Sequence, residues 1–202
     1  MQVLSEIAAY LIDTFAGLFY WAVILRFLFQ LARADFYNPI SQGLVKLTNP
    51  LLKPLRRAIP GVLGLDIAAL VLAMLVKAVT LFLLLLLAQK TVNGVYFLIW
   101  PAIYVLVTIL NIYYLVIFGS IITSFVAQGS HHPAIILINQ LAEPVMGPFR
   151  KLLPPMGGLD FSPMIALAAL YVIRILLSAL AANFGLVPGN LLGLIILMPR
   201  GL

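Results

Sequence analysis

The chain contains no cysteine, two histidines and six acidic residues among 202. Without cysteine there can be no disulfide, no thiolate metal site and no cysteine nucleophile, and the redox compartment is left undefined. Charge is scarce altogether, at 9% against about 25% in an average soluble domain. Acid–base chemistry is poorly supplied: there are no paired acids, no Ser-His-Asp spacing and no glycine-rich phosphate loop. His131 and His132 are adjacent, so they point apart on a helix and would need other ligands to hold a metal. Glu143, the nearest carboxylate, is expected to start a helix or touch headgroups rather than ligate. These absences argue against an enzyme, a cofactor or a metal centre.

What is present is apolar. Hydrophobic residues make up 64%, and mean hydropathy is +1.16. Several stretches exceed the ~20 residues that cross a hydrocarbon core. Four spans are expected: about Ile7 to Leu31, Ile67 to Ala88, Val95 to Val126 and Ser162 to Asn183. The first has no basic leader and carries Glu6 and Asp13, so a retained helix is expected rather than a cleaved signal. The net charge of +6 is spread among lipid-facing segments. Anionic headgroups are therefore the expected partners, not nucleic acid.

Between the spans lie two polar, proline-stiffened segments, "NPLLKPLRRAIPGVLGLD" (Asn49 to Asp66) and "EPVMGPFRKLLPPMGGLD" (Glu143 to Asp160). They match without a gap at an offset of 94, the difference between Pro144 and Pro50. At that offset Pro39, Pro54, Arg56 and Arg57 meet Pro133, Pro148, Arg150 and Lys151. Pro60, Gly64 and Asp66 meet Pro154, Gly158 and Asp160, and the spans register as well. Matched prolines and glycines are matched backbone constraints, so the two segments should share one shape. The chain thus divides into a first repeat (1–94, interfacial segment 38–64), a second (95–188, interfacial segment 132–158) and a short apolar tail (189–202). The tail is too short to cross, and could lie at the interface or re-enter.

Each repeat has two crossings, so the two point the same way, related by an axis along the membrane normal. Lys46, Lys53, Arg56, Arg57, Arg150 and Lys151 then share one face, against Lys90 on the other. The positive-inside bias puts that face in the cytoplasm and both termini outside. Within the first interfacial segment Ile40, Leu44, Leu47, Leu51 and Leu55 form one stripe, as for a helix lying in the headgroup plane. Pro50 and Pro54 are expected to split it into two pieces, the second capped by Asn49.

Asp66 and Asp160 each precede a span after Gly-Leu. An N-cap is expected, worth about 0.5–2 kcal/mol, compatible with a salt bridge back to Arg56 or Arg150, ten residues upstream. Lys77 and Arg174 fall near the middle of spans two and four, where a cation costs about 2.5–3.5 kcal/mol on insertion scales. Asp13 is the natural partner for one of them, and Arg26, nearer the cytoplasmic end, should snorkel. Such charges serve either as a packing clamp or on a transport path. Ala69 with Ala73, Ser120 with Ser124, and Ser178 with Ala182 add small-residue spacing suited to close helix packing.

The pattern Asn/His-Pro, then Pro-x3-Pro-x-Arg-Arg/Lys-x2-Pro, then Gly-Leu-Asp, present twice around four spans, resembles the YggT family. "DFYNP" to "LRRAIP" and "LLPPMGGLDFSPMI" are similar to its bacterial members. After the aspartate "DIAAL" replaces "DFSPM", so a role for Ser162 and Pro163 need not extend to the first repeat. The resemblance implies an all-α inner-membrane protein linked to osmotic or salt tolerance, with a suggested part in potassium uptake. More distant relatives imply cofactor assembly or division. Two functions follow as expectations: a component of ion homeostasis, or a scaffold binding anionic lipid, a partner membrane protein or further copies of itself.

Overall fold

A computed structural model describes residues 2–62, 64–126, 129–152, 160–191 and 194–199. It is an all-α membrane body with a small hairpin appended. The helices are α1 (Gln2–Leu31), α2 (Pro39–Ala58), α3 (Ile67–Leu87), α4 (Tyr96–Val126), α5 (Pro133–Leu152) and α6 (Ser162–Asn183). Helices α1, α3, α4 and α6 are long and apolar enough to span a membrane. α1 begins five residues before the expected Ile7. At 1.5 Å per residue α1 and α4 reach roughly 45 Å, beyond a ~30 Å hydrocarbon core, so they tilt or project into the headgroups.

α4 is the central helix: over half of its most apolar stretch is buried, against less than a third for each other span. It packs on α3, α5, α6 and α1, while α1 packs chiefly on α3. Close approach comes from small side chains, because lipid gives helices no hydrophobic reason to associate. Ala68, Ala69 and Ala73 on α3 are wholly buried. The outer faces are bare hydrocarbon, such as Leu75, Val79, Phe82 and Leu86 on α3 and Met164, Val172 and Leu176 on α6. That is the pattern of a body solvated by acyl chains.

The expected break in α2 does not occur. Pro50 and Pro54 sit inside one continuous helix, and Pro144 and Pro148 sit inside α5. Pro50 and Pro54 are exposed, so the carbonyls they strip of donors, at Lys46 and Pro50, can be satisfied by water or headgroups. Asn49 is therefore mid-helix, and Asn38 is the cap, its Oδ1 accepting the Ile40 amide at 3.0 Å. By the same continuity Glu143 lies within α5 rather than at its start.

The stripe of Ile40, Leu47 and Leu51 is exposed, free to enter lipid. The face of α2 turned to the body carries Ser41, Thr48 and Leu52 instead. α1 stops at a left-handed residue, Arg33 (φ 51), with Arg33 N–H bonded to Gln30 O and Ala34 N–H to Phe29 O. Glycine usually takes that site, and an L-residue there bears roughly 1–2 kcal/mol of strain.

The tail forms an antiparallel hairpin, β1 (Leu186–Leu191) with β2 (Leu194–Pro199), against α6 and α4. On that same side Trp100 Nε1 donates to Phe184 O at 2.9 Å, tying the start of α4 to the end of α6.

Candidate functional site

The candidate site is the end of the bundle where α2 and α5 lie side by side. The Asn38 side-chain amide donates to Pro133 O at 2.8 Å, and the Asp35 amide donates to Gln140 Oε1 at 3.0 Å. Both interfacial helices therefore occupy one face of the molecule, as parallel repeats require. His132, at Asn38 plus 94, opens α5 the same way, Nδ1 accepting the Ala134 amide at 3.3 Å. His131 and His132 thus mark a helix entry, and among the described residues no cluster of three metal-ligating side chains forms.

Both aspartates meet the arginine ten residues upstream. Arg56 Nε donates to Asp66 Oδ2 at 3.2 Å and Arg150 Nε donates to Asp160 Oδ2 at 3.2 Å. Arg56 Nη2 completes a second contact to Asp66 and reaches Gln30 Oε1 at 3.2 Å. Arg150 Nη1 turns instead to Glu143 Oε2 at 2.5 Å. The intervening turn closes on a backbone pair between Val62 and Leu65, with Gly64 at φ 80 supplying the left-handed step. Pro60 is exposed in that turn. Pro154 and Gly158, its counterparts, lie outside the described residues.

The two clasps differ where the sequences differ. Asp66 caps α3 in full, Oδ1 accepting the Ala69 amide at 3.3 Å, and its side chain is 4% exposed. Position 69 plus 94 is Pro163, which has no N–H to offer. Asp160 accepts the Ser162 amide at 2.9 Å instead, α6 starts one residue later, and the carboxylate stays 41% exposed. The N-cap position of α6 is accordingly Phe161 rather than Asp160. Desolvation pushes the Asp160 carboxyl up, but Ser162 and the Arg150 guanidinium outweigh it and hold the group below its ordinary value. Pro39 and Pro133 are the first residues of α2 and α5, and Ser162 begins α6 with its side chain buried. Arg57 and Lys151 are exposed beside the clasps.

The intramembrane charges assemble apart from this face. Lys77 Nζ lies 3.6 Å from Asp13 Oδ1 and 4.7 Å from the centre of the Tyr104 ring. That group links α1, α3 and α4. Arg174 lies over the Tyr171 ring at 5.7 Å, on the other repeat.

Arg26 does not snorkel. It is buried, with Nη1 donating to Thr48 Oγ1 at 2.6 Å and Val45 O at 3.1 Å. A buried guanidinium needs acceptors, and the polar inner face of α2 supplies them. The sequence signal was present as Ser41, Thr48 and Leu52 at spacings of seven and four, but it is masked by the stronger apolar stripe.

Fold and site define a duplicated four-span helical membrane protein with two clasped interfacial helices. The chain belongs to the CCB3/YggT family, whose sequence model matches residues 5–87 and again 99–181. Those two matches are themselves offset by 94. The chain is 47% identical over 186 residues to an uncharacterized protein of Pseudomonas aeruginosa, covering 91% of this chain and 94% of that one. It is 41% identical over 170 residues to the uncharacterized protein YggT of Escherichia coli K12, covering 82% and 86%. A Haemophilus influenzae protein, also uncharacterized, is 33% identical over 171 residues, covering 83% and 89%. No solved structure matches the chain.

Proposed function

We propose that this protein is a non-enzymatic platform of the bacterial inner membrane. It presents α2 and α5 as one braced surface to a partner membrane protein, and through that partner it contributes to osmotic or salt tolerance and ion homeostasis. The observation that carries the reading is the pair of Arg–Asp clasps, joined across the repeats by Asn38 and Pro133. They remove freedom from two proline-containing helices before any partner arrives, and preformed shape lowers the entropic cost of docking. Lys46, Lys53, Arg57 and Lys151 are exposed on this surface and suit a cytoplasmic, anionic leaflet.

Direct potassium conduction has less support. A cation path wants rings of carbonyl or carboxylate oxygen, whereas the charged group between α1, α3 and α4 is the Lys77 ammonium over the Tyr104 ring, with the single carboxylate of Asp13 beside it. Potassium flux into liposomes carrying the purified protein separates the two readings. No flux above empty liposomes is expected, while a strain whose only copy is Lys77→Leu keeps its growth at high salt. Flux that disappears in Lys77→Leu would overturn the platform. Because the chain has no cysteine, single cysteines at Lys53, Lys151 and Lys90 test the orientation. The first two should label from the cytoplasm and the third from outside.

A further inference from the structure

A cavity of about 450 Å³ opens between α1, the turn after it and α2, within the roughly 300–1,000 Å³ of small-ligand sites. Arg26, Arg33 and Arg56 line it together with Gln30 and Ser41. Arg56 is already matched by Asp66. Arg26 is not: its two hydrogen bonds go to neutral oxygens, and among the described residues no carboxylate stands within ion-pairing distance. Both bonds come from Nη1, which leaves three of five N–H groups without an acceptor among those residues. Ser41 is 5% exposed, and its hydroxyl has no hydrogen-bond partner. A buried cation with donors to spare and a buried hydroxyl with no protein partner line one cavity, a donor set that suits an anion.

The second repeat supplies the contrast. A cavity of about 460 Å³ lies between α4, α5 and α6, lined in part by Ser120, Ser124 and Arg150. These stand at the offset of 94 from Arg26, Gln30 and Arg56, so the two cavities are counterparts. Their charge has diverged. The buried arginine has become a serine, and Arg150 is engaged by both Glu143 and Asp160. Only the first cavity keeps cationic groups to spare.

We infer that the first cavity binds a phosphate oxyanion, held by Arg26, Arg33 and the Ser41 hydroxyl at the level where α2 meets the headgroups. The guanidinium fork matches phosphate oxygens two at a time. The source of the phosphate is an anionic phospholipid headgroup or free phosphate. The inference deepens the platform reading by naming what one interfacial helix holds.

The test uses the full-length protein in nanodiscs and in detergent. Native mass spectrometry counts retained phosphatidylglycerol against phosphatidylcholine, and unfolding temperature is followed during titration with inorganic phosphate. The wild type should retain phosphatidylglycerol selectively or be stabilised by phosphate, the first result assigning a lipid and the second a free anion. Arg33→Gln and Ser41→Ala should each weaken that binding at least tenfold; the Arg33 side chain is exposed and the Ser41 hydroxyl has no protein hydrogen bond to lose. Ser120→Ala, in the counterpart cavity, should bind as the wild type does. No selective binding of either probe, or unchanged binding in Arg33→Gln and Ser41→Ala, would overturn the site. A wild type that binds neither probe, yet conducts no potassium and supports salt tolerance, would overturn the site alone, and potassium flux that disappears in Lys77→Leu with binding intact would overturn the platform alone.

Discussion

The Asn38 side chain works in two directions at once: its oxygen caps α2 at Ile40, and its amide nitrogen reaches Pro133 O at 2.8 Å in the other repeat. The two functions can be separated by a single atom. Asn38→Asp keeps the cap acceptor and removes the donor, setting a carboxylate against a carbonyl. It should lower stability by about 1–2 kcal/mol, the cost of a lost bond plus an unsatisfied acceptor. Asn38→Ala loses the cap as well, and should fall by about 1 kcal/mol more. Thermal unfolding of the purified protein measures both, and an Asn38→Asp variant as stable as the wild type would refute the inter-repeat link.

The two clasps look alike by distance and should behave differently when broken. Arg56→Gln strands Asp66, which is 4% exposed, and a buried carboxylate without its partner costs on the order of 3 kcal/mol. Arg150→Gln leaves Asp160 41% exposed, so roughly 1 kcal/mol or less is expected. The unfolding temperatures of the two variants should therefore separate clearly. Equal losses would mean that burial does not set the difference.

Acid should open the second clasp late. The Asp160 pKa lies below the ordinary carboxylate value near 3.9. A carboxyl depressed in the folded state contributes stability that is present above its unfolded pKa and is lost as pH falls through the folded one. The clasp should thus hold unchanged through pH 5, and weaken only below about pH 4. An environment-sensitive probe on Lys151→Cys would follow it. In Arg150→Gln the same transition should move to higher pH, and an unshifted transition would remove Arg150 as a cause.

The duplication, the four spans and the ten-residue Arg–Asp spacing were legible because prolines, glycines and apolar runs constrain backbone locally. The unbroken α2 was not. A proline forbids one hydrogen bond, but whether the helix continues depends on what satisfies the freed carbonyl, and that is a property of the surroundings. Arg26 was misread for a related reason. Near a span end it could snorkel on its own, and only the packed position of Thr48 and Val45 decides that it turns inward. The difference between Asp66 and Asp160 was readable in principle, since Pro163 stands where Ala69 donates. It required asking which amide each carboxylate would take.

The Lys77 group distinguishes a clamp from a path. Lys77 Nζ touches Asp13 of α1 at 3.6 Å and the Tyr104 ring of α4 at 4.7 Å. Lys77→Met leaves Asp13 without its cation inside the bilayer, and Asp13→Asn leaves the ammonium without its anion. Each should destabilise by roughly 1–3 kcal/mol, with the exposure of Asp13 holding the value below that of a sealed pair. The double variant Asp13→Leu, Lys77→Leu removes both charges together and should recover most of the loss, because the desolvation cost vanishes with them. A clamp predicts that this double variant folds and supports growth at high salt as the wild type does. If it folds with wild-type stability yet fails to support growth, the charges act in function rather than in packing, and the clamp reading falls.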